Sequence, residues 1–472
     1  MSTEKTADFE RGDAPVLVKL IIGLMSGLLF IWILGPNPVL AVILLASVVL
    51  LVNGLNDFRA WLVLLLASLT SGFMYKLGNL TVRPDQVALI ILIIGWLAAW
   101  LTGKAKIGKI PLLLPLSLYL GVNVLSSYLY ADDKGASYQG TLLLFLYVLM
   151  YIMTCVVLNE HPDKMKFAVK AFLLFAAIEG IYAFISLVAF NAGVNTGGVN
   201  PAHVESAVSL NGGFQEPNLL GAFMAVTSLT FLAFLTGKQE EIRNRYLFAG
   251  MIIVSASLVL AYTRAAWVGF LVALCLLFFL QKPTRNLFNP RAAAVIMAII
   301  AAVTVAALPF ANSLARTELS TRVGEILDFN STTASGRLDV QRVAIQGWKH
   351  AVFFGNGTLS FSNKEFEVSG SWLYSSMVQA LYDTGLVGLL FQLWFQVGVV
   401  VILIRSYMKT TDGFYRAALT GFIAGSVAMM IASQASSFLW LGFPWVFAGL
   451  AVATAHAAVA NSKKNSTQPS QS

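Results

Sequence analysis

The chain has 472 residues, of which 57% are hydrophobic and only 11% charged, and it carries a net charge of +8. That composition excludes a soluble globular enzyme and a disordered chain, and it places the protein among polytopic membrane proteins. Apolar runs of about 17–25 residues recur, the length a helix needs to cross a bilayer, and the short alternating strands of a closed barrel are missing. The expected fold is therefore all-α, a polytopic helical membrane protein of about 12–14 transmembrane helices with one long extracytoplasmic loop containing amphipathic helices. The positive charge points to a membrane and not to nucleic acid, because it sits mostly in short loops on one side.

Residues 1–15 read as a cytoplasmic amino-terminal tail, 16–460 as the transmembrane domain and 461–472 as a disordered cytoplasmic tail. No cleavable signal is expected, since the first apolar run begins near Val16 and reads as a retained span. Candidate spans follow at 17–34, 38–52, 60–75, 86–102, 111–130, 140–158, 168–190, 219–236, 246–262, 265–281, 292–309, 384–404, 416–434 and 439–459. The second and third are short and read as a tilted hairpin or a re-entrant pair. With Lys5 and Arg11 in the cytoplasm, the clusters Lys104/Lys106/Lys109, Lys164/Lys166, Lys238/Arg243/Arg245, Lys282/Arg285/Arg291, Arg405/Lys409/Arg416 and Lys463/Lys464 all fall on that side, as the positive-inside rule requires. Cys155 and Cys275 lie within apolar runs, where cysteine behaves as a small hydrophobe, so neither a disulfide nor thiol chemistry is expected.

Basic residues on the other side are the informative ones: Lys76, Arg83, Lys134, Arg264, Arg316, Arg322, Arg337, Arg342, Lys349 and Lys364. Arg264, in Tyr262-Thr263-Arg264-Ala265, sits in a turn too short to leave the membrane surface. Its planar fork of donors suits phosphate oxygens, although snorkelling to lipid headgroups would explain it equally well. The loop 310–383 holds Ser335-Gly336-Arg337, Arg342 and Trp348. Leu338, Ala344, Ile345 and Trp348 fall on one side at helical spacing, which predicts an amphipathic helix against the membrane face. Pairing of Arg with Asp inside that helix is the plainer alternative. Glu179 is an acid near the middle of a span and must face a cavity or a partner. His203 and His350 belong to no metal-ligand pattern, and no phosphate-binding Gly-rich loop is present.

Gly213-Phe214-x-x-Pro217-Asn218-x-x-Gly221, Thr263-Arg264-Ala265, Ser335-Gly336-Arg337 with Trp348 and Gly355-Asn356-Gly357, and Tyr374 and Gln379 before Gly385-Leu386-Val387-Gly388 occur in one order. That ordered set resembles the O-antigen ligase/polymerase family of bacterial membrane glycosyltransferases. The resemblance implies a polyprenyl-pyrophosphate-linked glycan as donor, a glycan or lipid-linked acceptor, and transfer at the outer face of the bacterial inner membrane without metal or cofactor. Membrane lipids and a polysaccharide assembly complex would be its surroundings, with both termini cytoplasmic.

The resemblance assigns Arg264 and Arg337 to the departing pyrophosphate, whose developing charge arginine forks stabilise well; Arg342 joins them by helix spacing. Tyr374 occupies the slot where ligases of the family carry a histidine that assists the acceptor, and a tyrosine is a poor base near its ordinary pKa of about 10. His350, Glu365, Glu367 or Asp383 would then have to assist, or the protein is a polymerase and not a ligase. The expected site thus takes Arg264, Arg337 and Tyr374 as catalytic and Arg342, Glu216, Asn218, Trp348, His350 and Gln379 as substrate-binding. A transporter or flippase is the alternative from another class. It would show several intramembrane carboxylates or duplicated halves, and no internal repeat is found. A catalytically dead scaffold of an assembly complex is a third.

Overall fold

The computed structural model describes residues 80–101, 108–201, 208–214, 216–281, 332–363, 373–438 and 440–467, with short pieces at 65–66, 75–77 and 106. The expected spans 17–34, 38–52 and 292–309, nearly all of 60–75, and His203, Arg316, Arg322, Lys364, Glu365 and Glu367 lie outside the described residues. Every other expected span becomes a helix. These are α1 (Pro84–Leu101), α2 (Leu113–Tyr130), α3 (Lys134–Glu160), α4 (Met165–Asn191), α5 (Pro217–Thr236), α6 (Asn244–Leu260), α7 (Arg264–Leu280), α9 (Ser376–Lys409), α10 (Gly413–Ala432) and α11 (Gly442–Thr467). Helix α8 (Thr332–Trp348) lies in the long loop. Among the described residues, strands are confined to two antiparallel pairs, β1 (Tyr75–Leu77) with β2 (Leu80–Val82) and β3 (Val199–Asn200) with β4 (Ser209–Leu210).

Among the described residues, seven helices are long and apolar enough to cross a membrane, namely α2, α3, α4 with the turn before it, α5, α9, α10 and α11; α1, α6 and α7 are apolar but shorter. Their faces are inverted relative to a soluble bundle. On α4 the exposed stripe is Leu174, Ile178, Ile181, Ile185 and Val188, while the buried stripe holds Ala176, Glu179, Gly180, Ala183 and Ser186. The large apolar groups face outward and the small and polar ones face neighbours, as expected where lipid is the solvent. On α9 Leu386, Leu390, Trp394 and Val397 continue the same outward stripe. Helix α5 runs through the centre, packed on α6, α7 and α10, and Phe172, Phe214, Phe223, Phe422, Phe443 and Phe447 meet around it in mostly edge-on contacts.

Two boundaries and one helix face differ from the sequence reading. Helix α9 starts at Ser376 and not near 384, because the polar residues that look like loop are buried with partners: Gln379, Asp383 and Thr384 are all under 5% exposed. Gly385-Leu386-Val387-Gly388 is therefore inside a helix, where Gly385 at φ 67° and ψ −165° breaks it. The break is sealed by the Gly355-Asn356-Gly357 turn. Leu386 and Val387 N–H groups donate to the Val352 and Phe353 carbonyls (2.9 and 3.2 Å), while Asn356 and Gly357 N–H groups donate to the Tyr382 and Asp383 carbonyls (2.8 and 3.0 Å). These four bonds satisfy backbone groups on both sides of the break, as buried peptide groups require. Gly355 and Gly385 are needed because a Cβ on either would strike the opposing backbone.

The buried face of α8 is also rotated from expectation. Val340 and Ala344 are buried, with Val343 and Trp348 beside them, and pack on Phe361, Leu373, Val378 and Tyr382, whereas Leu338 and Ile345 are exposed. Of the expected stripe, Ala344 and Trp348 pack toward the start of α9, while Leu338 and Ile345 stay exposed. Finally, α11 runs into the expected tail as far as Thr467. Asn461 donates to Asp412 Oδ2 (3.1 Å) and Ser462 to Thr410 Oγ1 (3.3 Å), bonds that hold the first turn of that polar segment.

Candidate active site

Close backbone packing gathers the singled-out residues at one end of the bundle. Gly269, early in α7, lies against the Ala428 carbonyl late in α10, 2.7 Å from where a Cβ would stand. Gly221, early in α5, fits in the same way against Thr263 and Ala266 at the start of α7. The starts of α5 and α7 and the end of α10 therefore share one end, and the turn 433–438 ties the start of α9 to them. Ser376 N–H donates to the Ser433 carbonyl (2.9 Å), the Ser375 hydroxyl to Gln434 Oε1 (2.8 Å), and Phe438 N–H to Ser376 Oγ (3.3 Å). The Ser437 hydroxyl donates to Gln379 Oε1.

Arg337 of α8 reaches into this stitched turn. Its Nη1 donates to the Ala435 carbonyl at 3.2 Å, and its guanidinium lies over the Tyr374 ring, 4.7 Å from the centroid. A carbonyl and an aromatic face orient the fork. Arg264 is half-buried as the first residue of α7. Helices α5, α7 and α9 all present their amino-terminal, positive ends here, which adds to the arginines' attraction for an anion.

Glu216 stands at the N-cap of α5 and makes no capping bond with its side chain. The residue is open at its surface, yet its carboxyl is enclosed enough that desolvation raises its pKa above the ordinary value, while the nearby Arg337 charge pulls it back down. The loop carrying it is pinned by Glu179, which is 4% exposed in α4 and accepts from Gly213 N–H at 2.5 Å. Asn211 secures the same loop by donating to the Gly197 and Phe214 carbonyls (3.0 and 2.8 Å). The intramembrane acid is thus an anchor for the segment that leads into Pro217-Asn218.

The remaining expected site residues divide. Gln379 is buried, shared between Ser437 and Asp383 Oδ2 (3.5 Å). Trp348 donates its indole N–H to the Val352 carbonyl (3.0 Å) at the end of α8. Arg342 is exposed and paired with Asp339 (2.9 Å). Five residues after Arg337, it projects about 140° away around the helix and does not join the same face. His350 is exposed beyond the far end of α8, and Asn218 is half-buried in the first turn of α5.

Asp383 is held in the interior. Its Oδ2 accepts from Leu359 N–H (3.1 Å), and its carbonyl accepts from Ser126 (2.7 Å). Thr358, beside it, bonds to Asn123 Oδ1 (2.9 Å) and to Ser127 and Thr141 (3.1 Å each). The Ala435 carbonyl was invisible to sequence reasoning because a backbone group leaves no residue signature; the polar run Ser433-Gln434-Ala435-Ser436-Ser437 between two apolar spans was the available hint.

A model of the family described as O-antigen ligase matches residues 249–406, which takes in most of α6, all of α7 and α8 and nearly all of α9. No curated protein matches the chain.

Proposed function

Because residues 249–406 match the family model described as O-antigen ligase, we propose that the protein transfers a glycan from a polyprenyl-pyrophosphate carrier at the outer face of the bacterial inner membrane. The observation that carries this reading is Arg337, set by the Ala435 carbonyl and the Tyr374 ring at the end where three helices begin. A guanidinium fixed in this way is preorganised for charge that develops on a leaving pyrophosphate. Arg264, at the start of α7, supplies the second cation. Both termini then face the cytoplasm, which agrees with the lysines and arginines of the opposite end.

The acceptor in this reading is a second lipid-linked glycan, so the reaction is polymerisation. Tyr374 supports that choice, since its ring is engaged under Arg337 and a phenol does not serve as the base a ligase histidine would supply. Transfer to a lipid A–core acceptor is the second reading, favoured by the family's description. No metal takes part, and the arginines alone neutralise the leaving group.

Purified protein in detergent is given a polyprenyl-pyrophosphate oligosaccharide with and without chelator, and glycan length and released polyprenyl pyrophosphate are followed. Elongation that survives chelation supports a polymerase. Transfer that waits for added lipid A–core supports the ligase, and no transfer to either acceptor overturns the transferase reading.

A further inference from the structure

We propose that Glu216 takes the proton from the attacking hydroxyl of the acceptor glycan, an inference that rests on the transferase reading above. A transfer of this kind must place one proton. The bond between the anomeric carbon and the phosphate oxygen breaks, its electron pair stays on the polyprenyl pyrophosphate, and the arginines hold that charge. The acceptor oxygen forms the new bond to the anomeric carbon, its proton passes to the Glu216 carboxylate, and Glu216 later releases it to water.

Among the described residues, the other candidate groups are committed elsewhere. Tyr374 is the ring beneath the guanidinium. Asp383 lies in the interior with the Leu359 amide and Gln379 on one oxygen and is 3% exposed. Asp339 holds Arg342 on the exposed face of α8, and Glu179 holds the Gly213 amide. His350 follows the far end of α8, and at 1.5 Å per residue even Trp348 is roughly 16 Å along the axis from Arg337.

Glu216 differs from all of these. An acid at an N-cap ordinarily accepts from the amides of its own first turn, and here the side chain makes no such bond. Its backbone is nevertheless fixed, by the Glu179 and Asn211 anchors before it and by Pro217 and the buried start of α5 after it. A carboxylate so placed is uncapped, rigidly mounted and within electrostatic reach of Arg337. That reach also sets its timing. Burial already lifts its pKa and Arg337 restrains the rise; when a pyrophosphate engages Arg337, the restraint weakens and the added negative charge makes Glu216 a stronger base as it is needed.

The test measures kcat and KM of the full-length protein in detergent over about pH 5 to 9, with a polyprenyl-pyrophosphate oligosaccharide as both donor and acceptor. Glu216→Gln is expected to lower kcat about 10²–10⁴-fold, to move donor KM by less than about threefold, and to remove the fall in rate on the acid side. Glu216→Asp should retain part of the rate with the acid limb displaced. A Gln variant with wild-type kcat and an unchanged acid limb overturns the proposal, and so does a variant whose loss lies in KM alone. If Glu216→Gln does not fold, an unshifted acid limb in Glu216→Asp counts against it. Wild-type protein that transfers nothing removes the transferase reading and this proposal together, whereas wild-type transfer with an indifferent Glu216 isolates the failure to this residue.

Discussion

At one end of the bundle lysines meet carboxylates, and at the other an arginine meets a carbonyl and a ring. Lys166 and Lys170 donate to the two oxygens of Glu241 (2.7 and 3.1 Å), Lys166 also lies 3.8 Å from Asp412, and both ammonium groups rest over the Phe414 ring. Those charges are closed on each other and tie α4 to the loop before α6 and to the start of α10. Arg337 instead is oriented by neutral groups, the Ala435 carbonyl and Tyr374, with Glu216 acting on it through space. The lysines tie elements of the closed end together, whereas the guanidinium is held in position by a carbonyl and a ring at the end where three helices begin.

The largest expected effect follows from that contrast. Arg337→Ala should lower transfer about 10²–10³-fold, as loss of one preorganised donor to a developing anion does. Arg337→Lys should recover little, because an ammonium cannot reproduce the fork. The melting temperature should move by only a few degrees, since one hydrogen bond to a carbonyl is worth about 1 kcal/mol. Parallel losses of rate and stability would place Arg337 with the lysines of the other end.

Next in size is Gly385→Ala, which asks whether the broken start of α9 is what holds Tyr374 and Ser376 in place. A Cβ there meets the Phe353 carbonyl group in a left-handed backbone conformation, so the fold should lose about 2–4 kcal/mol, read as a lower denaturation midpoint in detergent. Gly336→Ala is the control within α8. Nothing lies within 4 Å of its added methyl, and the change should be neutral or gain up to about 1 kcal/mol in helix propensity. Equal costs at the two glycines would mean that the sealed break does not carry the site.

Much of this end was legible beforehand and some of it was not, for physical reasons. The order of Arg264, Arg337, Tyr374 and the glycine motifs was readable because arginine forks and glycine backbones leave residue signatures. The start of α9 was not, since Gln379, Asp383 and Thr384 look like loop until Ser126, Leu359 and Ser437 arrive from distant parts of the chain. The buried face of α8 was read only in part, because Leu338 and Ile345 were placed in one stripe with Ala344 and Trp348 while Val340, which packs in a small core with Phe361 and Tyr382, was left out. Arg342 looked equivalent to Arg337 in spacing, and only the direction of its side chain and its bond to Asp339 separate the two.

Tyr374 sharpens the comparison further, because it supports a charge without sharing a proton. Tyr374→Phe keeps the ring under Arg337 and should leave transfer within about twofold, while Tyr374→Ala removes a cation–π contact worth about 0.5–2 kcal/mol and should cost roughly 3- to 30-fold. A Phe variant as poor as the Ala variant would put the hydroxyl into the chemistry.

The smallest effect belongs to the closed end. Hydrogen bonds from Lys166 and then Lys170 hold the Glu241 carboxyl below its ordinary pKa. A carboxylate depressed in the folded state contributes stability that is complete above its unfolded pKa and is lost as pH falls through that value toward the folded one. Glu241 is partly exposed, so solvent screening keeps the contribution well under about 1 kcal/mol. Glu241→Gln should therefore lower the denaturation midpoint slightly at neutral pH, and the two proteins should converge below about pH 4. Added salt should narrow the gap at neutral pH as well, and transfer should stay within about twofold because no part of Glu241 faces the end where Arg337 lies. A gap that persists in acid would show that Glu241 acts through packing and not through its charge, and the contrast between the two ends would then rest on Arg337 alone.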